Sequence, residues 1–223
     1  VMGSKNLKAV AVKGSRGVRV SDSKRFMKAV DDLFRRARNY PQLKENIDKG
    51  IMGNWDNYLK QILVGDWTPE KITELYGPEA YTKYKWRRLA CTPCFTADKD
   101  ALIIRDGEDA GFCTYTHSFL TLAMTGSLFQ IDKVNESMKL GHLLNTYGGC
   151  SMTFGSMANF LLEAQEKGLL PLEKLEGFPL KRNYESMVNL LQAVAFREGI
   201  GDVMADGWDR ILEHLGPEAA KLA

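Results

Sequence analysis

Between residues 131 and 215 the apolar side chains recur at the spacing of an α-helix, and this periodicity constrains the fold more than anything else in the sequence. Ile131, Val134, Met138 and Leu144 mark one helical face, and Phe154, Met157, Leu161 and Ala164 a second. Met187, Leu190, Leu191 and Val194 mark a third, and Val203, Trp208, Ile211, Leu212 and Leu215 a fourth. Gly168, Gly199 and Gly216 fall where C-terminal caps are expected, because glycine takes the left-handed conformation without a steric penalty.

The first half is less regular. Residues 5–13 (KNLKAVAVK) alternate as a short strand would, and GSRG at 14–17 is a turn signal. Ser21 or Asp22 caps a helix carrying Phe26, Val30, Leu33 and Phe34, with Pro41 just past its end. The Trp- and Tyr-rich stretch 42–88 reads as short helices joined by glycine-containing loops. Residues 101–104 suit a strand and 106–111 a turn. The expected fold is therefore mainly α: an irregular multi-helix domain with a short N-terminal strand.

Charge and cysteines narrow the function. Thirty basic and 28 acidic residues leave a formal net charge of +2. That balance argues against a nucleic-acid or membrane-surface role. No apolar run is long enough for a membrane span and no signal peptide opens the chain, so a cytoplasmic protein is expected. The abrupt start at Val1 reads as a piece of something longer. Cys91, Cys94, Cys113 and Cys150 are compatible with two disulfides in a secreted domain, but chain size and the lack of a signal favour a reducing compartment and thiolate–metal chemistry.

Three motifs point to one family: VMGSKNLKAVAV at 1–12; the pair C-T-P-C at 91–94; and LNTYGGCS at 144–151 with EKGL at 166–169 and REGIGDVMADG at 197–207. In this order and spacing the chain resembles the central portion of the aldehyde:ferredoxin oxidoreductases. The resemblance implies that residues 1–14 end a preceding β-rich, pterin-binding domain, and that residues 15–223 form a helical domain that covers the cofactor, with a cluster loop at 91–98. It implies a tungsten (or molybdenum) bis-pterin and a [4Fe-4S] cluster. The cluster ligands would be Cys91 and Cys94, with Asp98 standing where the family has its third cysteine; Cys113 is a further thiol that could substitute.

The pterin positions fall on Asn145, Gly149 and Cys150. Asn145 keeps hydrogen-bonding capacity without the family's charge, and the Cys150 thiol is a poor acceptor. The Tyr147–Gly149 turn is equally readable as a backbone approach to a ligand or as a helix cap. His117, or Thr116 with one gap shifted, falls where the family places a glutamate near the metal. There a histidine serves as general acid or base, or simply as a hydrogen-bonded structural residue. The basic–aromatic run at 83–88 suits a nucleic acid in one reading and an acidic electron carrier in another.

The activity implied is oxidation of small aldehydes to carboxylic acids, with electrons passing to ferredoxin or another carrier. The remaining domains of the same chain would be needed, the isolated segment would be inactive, and a homo-oligomer is compatible with the frame. Two other readings share the fold: a subunit that reduces aryl-CoA thioesters, and a non-catalytic scaffold that has lost its cofactors.

Overall fold

Residues 5–13, expected as a strand, form none among the described residues. The computed structural model describes residues 2–62, 66–92, 94, 97, 99–116, 119–171, 173–176 and 179–217. A single 3-10 turn spans Gly3–Lys5 and ends on Asn6 in the left-handed conformation (φ 53°). A strand needs a neighbour to take its alternate N–H and C=O groups. Here residues 7–13 pair with no strand among the described residues, and Val10 and Val12 are exposed. Helix α1 (Ser23–Arg38) follows, and the Asp22 carboxylate caps it by accepting from the Arg25 N–H at 2.9 Å, as its sequence suggests. These elements lie in one compact unit, residues 1–43; residues 44–223 form the other.

The stretch read as short helices is built that way. Helix α2 (Leu43–Lys49) leads through a 3-10 turn to α3 (Trp55–Ile62), α4 (Pro69–Tyr76) and α5 (Pro78–Tyr84). Thr68 caps α4, and a proline opens both α4 and α5, where its missing N–H costs no hydrogen bond. Four of the aromatics here are core residues. Trp55, Trp67, Tyr76 and Tyr81 are buried, and the Tyr76 hydroxyl donates to the Ile131 carbonyl at 2.6 Å. Burial pushes that hydroxyl well above the usual tyrosine range, so it stays a donor.

A three-stranded antiparallel sheet comes next: β1 (Lys85–Leu89), β2 (Lys99–Ile103) and β3 (Cys113–Thr116), in that order. The strand expected at 101–104 is largely β2; β1 and β3 are additional. Lys85 pairs with Leu102 but Arg87 with Ala101, so Trp86 is a bulge residue.

The second half is helical, as its periodicity predicts: α6 (Phe119–Leu128), α7 (Val134–Thr146), α8 (Ser151–Glu166), α9 (Tyr184–Phe196), α10 (Ile200–Ala205) and α11 (Trp208–Leu215). One apolar cluster joins α7 to α11 through residues such as Leu144, Phe154, Leu161, Leu190 and Ile211. A second joins α3–α5 and β2 to α6 and α7 through Ile72, Tyr76, Leu102, Leu122 and Met138.

Two expectations need correction. The fourth helix is two, because Gly207 (φ 95°) breaks the chain between α10 and α11. Gly199 does not cap α9; Arg197 does, in the left-handed conformation (φ 58°), while Gly199 (φ 52°) starts α10. Arg197 then holds Asp202 at 2.8 Å and Asp206 at 2.6 Å, and its guanidinium keeps the Asp206 carboxyl below the usual range. The REGIGD run is therefore a stitch between two packed helices.

Candidate functional site

Three positions that lie far apart in the chain meet at one cleft. Leu89 ends β1 two residues before Cys91; Thr116 ends β3 one residue before His117; Asn145 is in the last turn of α7. All three line a cleft of about 500 Å³ between the end of the sheet and α7, together with Lys99 and His142. Asn145 donates its side-chain amide to the Tyr115 carbonyl at 3.0 Å, which ties α7 to β3. His142, one helical turn before Asn145, places Nδ1 3.4 Å from the Thr114 hydroxyl and stands edge-on to Phe112.

Sequence reasoning did not select His142 or Lys99. The i, i+3 spacing of His142 and Asn145 was available as a signal. The pairing that brings Lys99 beside Leu89 was not, because it requires the sheet register.

Cys91 and Cys94 sit on one tight turn at the mouth of β1, with the Cys94 N–H 2.5 Å from the Cys91 carbonyl, and both are exposed. Two soft thiol donors on one turn suit an iron–sulfur cluster. Among the described residues no group of three or more His, Cys, Asp or Glu gathers to hold a metal. The described residues thus fit such a cluster as a pair of ligands and not as a full set. Asp98 and His117 lie outside the described residues.

Cys113 stands at the other end of β2 from the cysteine turn. It pairs with Ile103, whereas the cysteine loop leaves from Leu89 opposite Lys99, four residues or about 13 Å along β2.

The turn read two ways at 147–149 serves as the cap of α7. Gly148 takes φ 76°, and the Gly149 N–H donates to the Leu144 carbonyl at 2.8 Å. Its amide is therefore committed to the helix end. Cys150 is the N-cap residue of α8. Its thiol makes no full capping hydrogen bond, yet the Thr153 hydroxyl and then the first N–H groups of the helix favour the thiolate and lower its pKa.

The sign is testable. Alkylation of Cys150 by iodoacetamide, followed by peptide mass spectrometry, is expected to reach half its limiting rate at a pH below the ordinary thiol value of about 8.5. Thr153→Val should move that midpoint up. A midpoint at or above the ordinary value in the unsubstituted protein would show that the helix start does not activate the thiol.

Known proteins agree with the motifs. The family model for aldehyde ferredoxin oxidoreductase, domains 2 and 3, matches residues 41–223. The tungsten-containing aldehyde ferredoxin oxidoreductase of Pyrococcus furiosus is 27% identical over 97% of this chain and 36% of its own length. That of Thermococcus kodakarensis is 25% identical over 97% of this chain and 36% of its own. The aliphatic sulfonate oxidoreductase WOR-like subunit of Pyrococcus furiosus is 26% identical over the whole chain and 37% of its own length. The chain thus spans about a third of these relatives.

Among solved structures, the active-site complex BamBC of benzoyl coenzyme A reductase in complex with 1,5-dienoyl-CoA shares the fold. Its TM-score is 0.67 at 20% identity, over 99% of this chain and 35% of that one. With the family match covering the greater part of its residues, the chain belongs to the aldehyde ferredoxin oxidoreductase family, in the region formed by the second and third domains.

Proposed function

We propose that this chain is the cofactor-covering helical part of a tungsten-pterin oxidoreductase that oxidises aldehydes to carboxylic acids. Electrons would leave through a [4Fe-4S] cluster on the 91–98 loop to ferredoxin or another carrier. The observation that supports this best is the meeting of Leu89, Thr116 and Asn145 at one cleft, since each is, or lies within two residues of, a position matched to a family motif. Four relatives named as tungsten-containing enzymes favour tungsten over molybdenum.

When bound, a pterin–metal centre supplies two-electron redox chemistry and a cluster supplies one-electron transfer. In this reading Cys91 and Cys94, with Asp98, hold the cluster, and Asn145, Gly149 and Cys150 face the pterin edge. Aldehyde oxidation takes up water and releases protons; His117, next to Thr116 in the chain, is assigned to move one of them. Lys85 and Arg87 on the edge strand beside the cysteine turn suit an acidic electron carrier. The division at residue 14, with further domains of the same chain and a cytoplasmic location, belongs to the same proposal.

The test is metal content. Full-length protein, purified anaerobically from cells grown with tungstate or molybdate, is expected to be brown, with about four irons per chain and stoichiometric tungsten. It should reduce ferredoxin when given an aldehyde. A colourless, metal-free protein after growth on both metals rejects the enzyme in favour of the scaffold. A metal-loaded protein that reduces an aryl-CoA thioester and ignores aldehydes moves the assignment to the reaction that the shared fold also serves.

A further inference from the structure

The base of the cysteine turn is closed by a buried cluster that neither the motifs nor the proposed chemistry uses. Arg88, next to the last residue of β1, donates from Nε to the Ala97 carbonyl at 2.7 Å, so one side chain spans from the start of the 91–98 loop to its end. Its Nη1 donates to the Tyr81 hydroxyl at 3.0 Å, and that hydroxyl donates to Asp100 Oδ1 at 2.6 Å. Asp100 is 1% exposed and lies 3.6 Å from Arg88 Nε. Desolvation, then the adjoining carboxylate, push the Tyr81 hydroxyl above the usual range, which keeps it in place as a donor.

Two features set this cluster apart from an ordinary ion pair. The first is that it is poor at its own satisfaction: Arg88 Nη2 is buried without a hydrogen-bond partner among the described residues. A buried cation with an unpaired N–H is weak evidence for a stabilising role. The second is that it holds unusual backbone at both contacts. Ala97 has φ 47°, which an alanine adopts when its surroundings impose it. Gly50 has φ 59°, and a Cβ there would lie 2.0 Å from Arg88 Nη2, so this glycine is the space in which the guanidinium sits.

We propose that Arg88 is a positioning residue for the Cys91–Cys94 pair, holding the loop so that both sulfurs engage one thiophilic centre before any centre is bound. As far as that centre is an iron–sulfur cluster, the proposal rests on the functional reading above. Its test does not, because it uses phenylarsine oxide on the full-length protein after any bound iron has been stripped anaerobically, so that both thiols are free in every arm. One arsenic takes the two sulfurs of a preorganised dithiol and releases water.

Wild-type protein is expected to chelate one arsenical per loop, lost in Cys91→Ser. Arg88→Met should weaken that chelation by about tenfold or more, since the two thiols lose effective concentration at one site. Alkylation of either thiol singly by iodoacetamide should change less than about twofold, because both are exposed already. Tyr81→Phe, which keeps the ring and removes the hydroxyl between Arg88 and Asp100, should show the same pattern more weakly, and serves if Arg88→Met does not fold. Gly50→Ala, which displaces the guanidinium while leaving it on the chain, should resemble Arg88→Met.

Wild-type protein that fails to chelate the arsenical overturns the proposal. So do variants that chelate as tightly as wild type, and variants whose single-thiol reactivity rises in step with the loss of chelation. Wild type that chelates but carries no iron keeps Arg88 in this role and removes the cluster.

Discussion

Replacing Asp100 with alanine is expected to destabilise the 44–223 unit by about 3–5 kcal/mol, the range for removing one partner of a buried ion pair. Asp100 is 1% exposed, and the Arg88 side chain beside it is 12% exposed. Alanine would leave that cation without its counter-charge and the Tyr81 hydroxyl without the acceptor it meets at 2.6 Å. Its strand neighbours Ala101 and Leu102 are 0% exposed, so little of the lost interaction is replaced by water. Asp100→Asn preserves shape and an acceptor oxygen, so it should lose less. Urea unfolding of the two variants followed by circular dichroism reads the difference, and equal midpoints for Asp100→Ala and wild type would show that the pair contributes nothing.

The second large effect is at Gly201. A Cβ there would lie 2.2 Å from the Ala193 carbonyl carbon and 2.5 Å from the Val194 nitrogen, both backbone atoms of α9. Backbone cannot rotate away as a side-chain tip does, so α10 must lift from α9. Gly201→Ala is expected to cost about 3 kcal/mol as overpacking. For a protein of this size that lowers the melting temperature by about 10 °C. Gly155→Ala in α8 is the control, since its nearest neighbour is at 3.7 Å. Alanine is the better helix former there, so it should be neutral or stabilising by up to about 1 kcal/mol. A Gly201→Ala melting temperature equal to that of wild type would mean that the two helices are not packed as described.

The contrast at Gly201 bears on how the motif is read. REGIGD helps identify the family, yet its arginine and aspartate pair with each other and its second glycine serves helix contact.

The helices of the second half were legible because their apolar residues repeat at 3.6 and each helix buries one face. The sheet was less so. KWRRL does not alternate in polarity, and its inward residue is the arginine, which pattern rules assign to solvent. Arg88 faces inward because Asp100 and Tyr81 await it, and those partners are 12 and seven residues away.

Gly207 was legible as a turn former, and the five-residue step from Val203 to Trp208, about 140° out of phase at 3.6 residues per turn, marks the break that a single helical face passes over. At the site, the cysteine spacing was readable in one line of sequence. The meeting of Leu89, Thr116 and Asn145 was not, since strand pairing and helix docking both lie between those positions and the cleft.

The bulge at Trp86 has a consequence for chain length. Pairing runs from Lys85–Leu102 directly to Arg87–Ala101, so the ladder counts as though Trp86 were not there. One residue can enter or leave the chain at this point while Arg88 still meets Asp100. The same change one step later would shift parity and exchange Arg88 for its neighbour on the inner face. Upstream length variation is thus absorbed at Trp86, a half-exposed position, before it reaches the cysteine turn.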